Sequence, residues 1–287
     1  MRQRQSRSVL LDLYGAFVRD LGGWIAVADL VRLSAPLGVE EAAVRLSVSR
    51  FSRKGLLVRR QIGGRVGYEL TETAAQLLAE GDERIASLLE PARLQDGWVI
   101  ASFSVPEEIR AKRHQLRSRL EWLGYGNLGG GLWIAPRREL EATRDMVASL
   151  GLEAHVDLFL GDYDGFDDVR RLVTRCWDVE AIRTVHRDYV AEFAPVLAAQ
   201  EQHPPEQDPV GAFVAYVTAL HEWRKLPYVD PGLPVELLPD DWEGTVSVDL
   251  WRRLSGRLEP TARAHVHANV DAQTMGLAAA STAARGA

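Results

Sequence analysis

The sequence predicts an α+β protein built in three parts: an N-terminal winged helix-turn-helix, a central ferredoxin-like α/β sandwich and a C-terminal helical domain. Three observations carry this expectation. In residues 39–71 the apolar positions first recur at helical spacing and then alternate as in a strand. Residues 98–163 read as strand, helix, strand, strand, helix, strand, with one strand hidden near Gly124 to Leu128. From about Asp167 onward the pattern is helical, broken by proline-rich connectors.

The first part opens with a stripe of Val9, Leu10, Leu13, Phe17 and Leu21, closed by Gly22-Gly23. Ala28 to Leu33 is a second, short helix. Pro36 and Gly38 break the chain before a third helix, whose first turn carries Glu40 and Glu41, where negative charge suits the helix dipole. Val44, Val48 and Phe51 form its inner face, and Gly55 stops it. Leu56 to Ile62 and Arg65 to Leu70 are strands joined by the two-residue turn Gly63-Gly64. Thr71 caps a further helix, and GDER with EPARLQDG forms a loop into the second part. There, Trp98 to Phe103 is a strand stopped by Pro106, EEIRAKRHQLRSRLEWLG an amphipathic helix, GGGLWIAP a strand, RELEATRDMVASLG a helix and LEAHVDLFLGDY the last strand. In the third part Ile182, Val185, Tyr189 and Phe193 share one stripe. GAFVAYVTALHEWRKL is a second helix, DPGLPVELLPDDWEG an ordered non-helical connector, and VDLWRRLSGRLEPTARAHVHANV supplies the last helices. The expected parts are 1–92 for DNA binding, 93–166 for dimerisation or as a scaffold, and 167–270 as the helical domain and a place for effector binding, with 271–287 a disordered tail of small residues.

The charge is uneven. The chain holds 34 Lys+Arg against 40 Asp+Glu, yet residues 1–91 hold 13 basic against 11 acidic. A basic module on an acidic body is the expected reading. One cysteine, Cys176, excludes an internal disulfide and fits a reducing compartment. No apolar run approaches the roughly 18 residues of a membrane span, and Asp12, Arg19 and Asp20 interrupt the signal-like start. The expectation is a cytoplasmic protein with no membrane partner.

From Ala42 to Tyr68 the chain carries Arg45, Arg50, Arg53, Lys54, Arg59, Arg60 and Arg65, and no Asp or Glu. Solvated faces usually mix both signs, so an acid-free window points to a polyanion. On the third helix Ala42, Arg45, Leu46, Ser49 and Arg53 lie opposite the apolar face. Such a helix enters the DNA major groove, with Arg45 and Ser49 where base contacts form. Arg50, Arg53 and Lys54 sit where phosphates are the partners. Arg59, Arg60 and Arg65 flank the Gly63-Gly64 tip of a wing that follows a minor groove or backbone. The alternative is a metabolite-sensing or protein-interaction module whose winged helix does not read DNA.

Taken with their order, three motifs carry a resemblance: LGVEEAAVRLSVSRFSRKGLL with GRVGYELT, then WVIASFSVPEEIRAKRHQLRSRLEWLGYG with GLWIAPR, then HEWRKLPYVDPGLPVELLPDDWEG. Over nearly its whole length the chain resembles the PaaX family, bacterial repressors of phenylacetate-degradation operons. The resemblance implies a homodimeric repressor of double-stranded operator DNA, released by an acyl-coenzyme A effector such as phenylacetyl-coenzyme A, and no catalytic activity. A low-polarity slot beside cations would suit that effector, and His221, Trp223, Arg224 and Lys225 of HEWRK are the candidates. The structural reading of the same segment buries Trp223 and pairs Arg224 with an acid.

Enzymatic readings lose their residues. The central part resembles in plan the CRISPR adaptation nucleases, which use an aspartate ending the first strand, whereas Ser104 stands there and no Asp lies between Trp98 and Pro106. GYGNLGGGLW follows a helix and precedes a strand, the reverse of a phosphate loop, and reads as a turn. HEWRK lacks the second histidine of a zinc protease helix. His265 and His267 diverge on a helix and are read as surface residues, and Cys176 as a small buried hydrophobe. No catalytic residue, resident cofactor or metal site is expected.

Overall fold

The computed structural model describes residues 9–271, so the expected disordered tail lies, beyond Asp271, outside the described residues. The chain forms two compact units that do not follow chain order. Of the described residues, the first comprises 9–83, 191–224 and 249–271, the second 84–190 and 225–248.

In the first unit, α1 covers residues 9–18, its end π-wound at Tyr14–Val18. Then follow β1 (Trp24–Ala26), α2 (Val27–Ser34), α3 (Glu41–Arg53), β2 (Leu57–Ile62), β3 (Arg65–Leu70) and the start of α4 (Glu72–Leu89). The three strands form an antiparallel sheet in the order β1-β3-β2. The sequence pattern missed β1, because three residues, all buried, show no alternation. It explains Gly67: a Cβ there would collide with the Ile25 carbonyl and the Trp24 ring. Thr71 caps α4 as expected, its Oγ1 accepting from the Ala74 N–H at 3.2 Å. The GDER loop, however, is not a loop: α4 continues through it to Leu89, with Ala74, Leu78 and Leu88 buried. Three apolar contacts at helical spacing outweigh one glycine, whose mid-helix cost is about 1 kcal/mol. The unit is completed by the later parts of α8 (Val179–Gln202) and α10 (Glu243–Asn269) and by α9 (Pro209–Trp223). Phe17 meets Phe213 and Tyr216 at ring distances of 5.9 Å, and Trp223 stacks on Trp251 at 5.5 Å.

The second unit is built on an antiparallel sheet of β4 (Trp98–Phe103), β5 (Gly126–Gly129), β6 (Leu132–Pro136) and β7 (Val156–Gly161), in the order β5-β6-β4-β7. With α5 (Arg110–Trp122) and α6 (Leu140–Leu150) this is the expected ferredoxin-like plan, hidden strand included. Alternation along β4 sends Val99 and Ala101 into a core with Leu116, Leu120, Met146 and Val147. Trp98 takes the other face, in a core with Leu172 and Val173 of α7 (Val169–Cys176), Ile182, Leu233, Leu237 and Trp242. The proline-rich connector is therefore ordered and apolar-anchored as expected, but not wholly non-helical: Val235–Leu237 forms a 3₁₀ turn and α10 begins at Glu243. Gly232 within it has φ +65°, and a Cβ there would collide with the Arg138 guanidinium. That guanidinium donates to the carbonyls of Ser87, Glu90, Pro231 and Gly232. Asp230 accepts from the Gly232 N–H at 2.7 Å, and its other oxygen lies 2.7 Å from His186 Nε2. His186 is fully buried, with Nδ1 2.7 Å from Ser247 Oγ.

Candidate nucleic-acid interface

Helices α2 and α3 pack together across residues 35–40, where Gly38 at φ +73° makes the turn. Val44, Ser47, Val48 and Phe51 fill the inner face of α3. This leaves Ala42, Arg45, Leu46, Ser49 and Arg53 exposed together, the outer face the pattern predicts. Gly55, at φ +72°, ends the helix, and the Leu56 N–H donates back to the Phe51 carbonyl at 3.0 Å. That closure feeds the chain directly into β2. At the wing tip Gly63 and Gly64 both have positive φ, 54° and 80°, as a type I′ turn requires.

The structure divides the basic residues into two groups. Arg50, Arg53, Lys54 and Arg59 form no ion pair among the described residues. Arg50, Arg53 and Lys54 gather with Phe51 around a recess of about 220 Å³ at the C-terminal end of α3. The others hold carboxylates from outside the acid-free window. Arg45 pairs with Glu41 one turn earlier, at 2.7 Å and 2.8 Å. Arg60 crosses the wing to Glu69. Arg65 turns inward: it donates two hydrogen bonds, 3.1 Å and 3.0 Å, to the fully buried Asp29 of α2, and meets Asp271 at 2.6 Å. Both carboxylates hold its guanidinium more firmly protonated than usual. Arg65 thus ties the wing to the helix-turn-helix instead of standing on the outer surface with Arg59. The sequence signal for this was Asp29, an acid inside the apolar run VADLVRL, since a buried carboxylate needs a cation.

The second candidate cluster is largely drawn into internal contacts. Trp223 is fully buried and parallel to Trp251, with an interplanar angle of 8°. His221 Nδ1 lies 2.7 Å from Asp12 Oδ2, and Arg224 donates to Asp12 Oδ1 at 3.2 Å. Lys225 is exposed. Of the remaining candidates, His265 is half-buried, its ring tilted against Phe213 at 5.0 Å. Cys176 is half-buried rather than buried, and desolvation pushes its thiol pKa up, away from reactivity. Among the described residues no cluster of three or more His, Cys, Asp or Glu is placed to hold a metal. No helix among them is long and apolar enough to cross a membrane.

Comparison with known families matches this architecture in order. Residues 5–74 match the family described as PaaX-like protein, residues 91–173 the PaaX protein central Cas2-like domain, and residues 177–268 the PaaX-like protein C-terminal domain. The chain belongs to the PaaX-like family. It is 26% identical over 266 residues to the transcriptional repressor PaaX of Escherichia coli (strain K12), an alignment covering 90% of this chain and 82% of that protein. In fold it resembles the uncharacterized protein Rv0674 from Mycobacterium tuberculosis, with a TM-score of 0.56, 21% identity and coverage of 91% of this chain and 96% of that one. The PaaX-like plan of N-terminal domain, Cas2-like domain and helical C-terminal domain is the α+β plan read from the sequence.

Proposed function

We propose that this protein is a cytoplasmic, homodimeric transcriptional repressor that reads double-stranded operator DNA through α3 and the β2–β3 wing. The observation that carries the reading is the outer face of α3. An acidic chain holds there a contiguous set of Arg45, Ser49, Arg50, Arg53 and Lys54, continued on the wing by Arg59 and Arg60, over an apolar inner face that fixes its orientation. Arg45 and Ser49 are the base-reading positions. Arg50, Arg53, Lys54 and Arg59, free of internal acids, serve phosphates. Exposed Leu46 between them suits a thymine methyl group. The curated relative's repressor role supports this direction of control.

Within this reading the effector is an aryl-acyl-coenzyme A such as phenylacetyl-coenzyme A, which releases DNA by preferring a conformation whose recognition helices no longer match successive grooves. The enclosed environment of Trp223 and Arg224 disfavours the HEWRK segment as its slot. The test is fluorescence anisotropy of the purified protein with labelled DNA from its own upstream region, titrated with phenylacetyl-coenzyme A. Sequence-selective binding reversed by the thioester is the expected result. Selective binding that the thioester leaves intact overturns the effector and keeps the repressor. Binding to every duplex alike, at low and physiological salt, overturns the operator reading.

A further inference from the structure

In the second unit, α5 differs from its acidic surroundings in charge. It carries Arg110, Lys112, Arg113, Arg117 and Arg119 against a single acid, Glu121. Three of these cations are used internally: Arg110 and Arg113 lie against Glu107, and Lys112 donates to the Leu150 carbonyl at 2.8 Å. Arg119 is exposed and forms no ion pair among the described residues. It lines a recess of about 410 Å³ together with His114, Gln115, Ser118 and Trp122. Residues four positions apart stand one above the other on a helix, so these five make one stripe. The volume falls within the roughly 300–1,000 Å³ of small-molecule sites. The lining joins polar donors, a cation and an aromatic ring, and none of these five residues is acidic.

Trp122 brings a second cation with it. The Arg84 guanidinium lies over the Trp122 ring, 4.0 Å from one ring centroid, and 5.5 Å from that of Tyr228. Among the described residues Arg84 makes no side-chain hydrogen bond or ion pair, and its Nη1 is buried with no partner. Glu139, the carboxyl whose charge acts on Arg84, accepts instead from Arg138 at 3.3 Å. Burial pulls the Arg84 pKa below the usual arginine range, which an added anion would reverse. A guanidinium carries five donors in a planar fork, and a buried donor without an acceptor is costly. Two aromatic rings thus hold this fork in place while its hydrogen bonds go unused.

We propose that this stripe binds a nucleotide, with its phosphate on Arg119 and on Arg84 after a turn of that side chain, and its base along Trp122 between Gln115 and Ser118. A bare anion would leave Trp122 and most of the recess unfilled. A purely apolar ligand would cover two cations and three polar side chains without pairing them. A flat heterocycle joined to a phosphate satisfies both halves. The recess suits a mononucleotide-sized head rather than a whole acyl thioester. Where the effector reading above holds, on which this source rests, that head is the phosphorylated adenosine of the coenzyme A thioester; a free nucleotide offers the same chemistry.

The test is isothermal titration calorimetry of the full chain without DNA, with coenzyme A, adenosine bisphosphate and inorganic phosphate as probes. Coenzyme A and the nucleotide are expected to bind, and inorganic phosphate more weakly by about tenfold or more. Arg119→Glu, at an exposed position, and Arg84→Gln are each expected to weaken nucleotide binding by about tenfold or more, the loss of one charge-assisted contact. Arg144→Glu, exposed on α6, is expected to bind as the wild type does. Circular dichroism checks that each variant is folded. Tighter binding of coenzyme A supports the site and assigns it to the thioester; nucleotide binding without coenzyme A binding supports it and assigns it to a free nucleotide. Affinities unchanged in both Arg119→Glu and Arg84→Gln overturn the site. So does phosphate binding as tight as that of the nucleotide. A wild type that selects its operator but binds neither coenzyme A nor nucleotide overturns the site and leaves the repressor. Release of Arg119→Glu from DNA by phenylacetyl-coenzyme A at the wild-type concentration overturns the site and leaves the effector.

Discussion

The inward turn of Arg65 makes a prediction opposite to that of an ordinary wing arginine. Arg65→Ala removes two charge-assisted hydrogen bonds from a carboxylate with no exposed surface. Stripping the partner from a buried charge costs about 3–5 kcal/mol. Two features reduce the figure here: the Arg65 side chain is itself 28% exposed, and Asp29 keeps Arg32 at 3.4 Å and the Asp271 N–H at 3.2 Å. A loss of about 2–3 kcal/mol remains, or a fall in melting temperature of roughly 4–12 °C at 2–4 °C per kcal/mol for a unit of this size. Adding Asp29→Asn to Arg65→Ala should recover part of the loss, because the uncompensated charge is gone. Thermal unfolding followed by tryptophan fluorescence reads the stability, and DNA anisotropy across a salt series reads the contact. The reasoning fails if Arg65→Ala melts with the wild type while its salt slope becomes shallower, since that pattern belongs to a phosphate contact.

Four further outcomes follow from the same geometry. Arg59→Ala should weaken binding to all duplexes and make the salt slope shallower by about one unit; an unchanged slope would exclude a phosphate contact. Arg45→Ala should cost about 1–3 kcal/mol on the operator and relax preference at one base, whereas an equal loss on every sequence would refute base reading. Gly67→Ala should destabilise by about 1–3 kcal/mol, because the Trp24 ring and Ile25 carbonyl must move; unfolding midpoints check this. Burial pushes the Glu139 carboxyl pKa up, against the pull of Arg138 and Arg84. Its contribution to stability is then complete below the ordinary carboxylate range and lost as pH rises through the raised value. Glu139→Gln should therefore be more stable than the wild type at pH 7, with the difference vanishing on acidification, as measured by urea midpoints across pH.

What was legible in the sequence were features with local causes. Gly38, Gly55 and the Gly63-Gly64 pair mark turns because their backbones need positive φ, and each falls where the pattern placed a break. Strand β4 was legible end to end because alternation and Pro106 bound it. Less legible were features decided by partners distant in sequence. Strand β1 exists because β3 lies beside it, and α4 passes through GDER because its apolar positions find a core. The acid-free window was read correctly as a run of residues but not as a surface. Glu41, Glu69 and Asp29 stand outside the run and reach Arg45, Arg60 and Arg65 inside it. Likewise HEWRK has the composition of a ligand slot, yet Asp12, some 200 positions away, takes up both His221 and Arg224.

The Glu41–Arg45 pair bears on how a helix of this kind discriminates. Both side chains are more than half exposed, and a solvated pair one turn apart stabilises by only about 0.3–0.5 kcal/mol. A bidentate contact from arginine to guanine supplies about 1–3 kcal/mol of discrimination. Exchange of Glu41 for guanine is therefore favourable at the correct base and close to neutral elsewhere. The carboxylate left behind then lies at the N-terminal turn of α3, the end that the proposed reading sets toward base edges. It meets an attractive partner only where a cytosine amino group is within reach, and otherwise adds repulsion to the surrounding phosphates. An acid at the mouth of a basic face lowers affinity for arbitrary sequence more than for the operator. On the proposed reading this gives the acid-free window its sharp edge: the cations inside it would hold the backbone, and the acid at its border would penalise the wrong base.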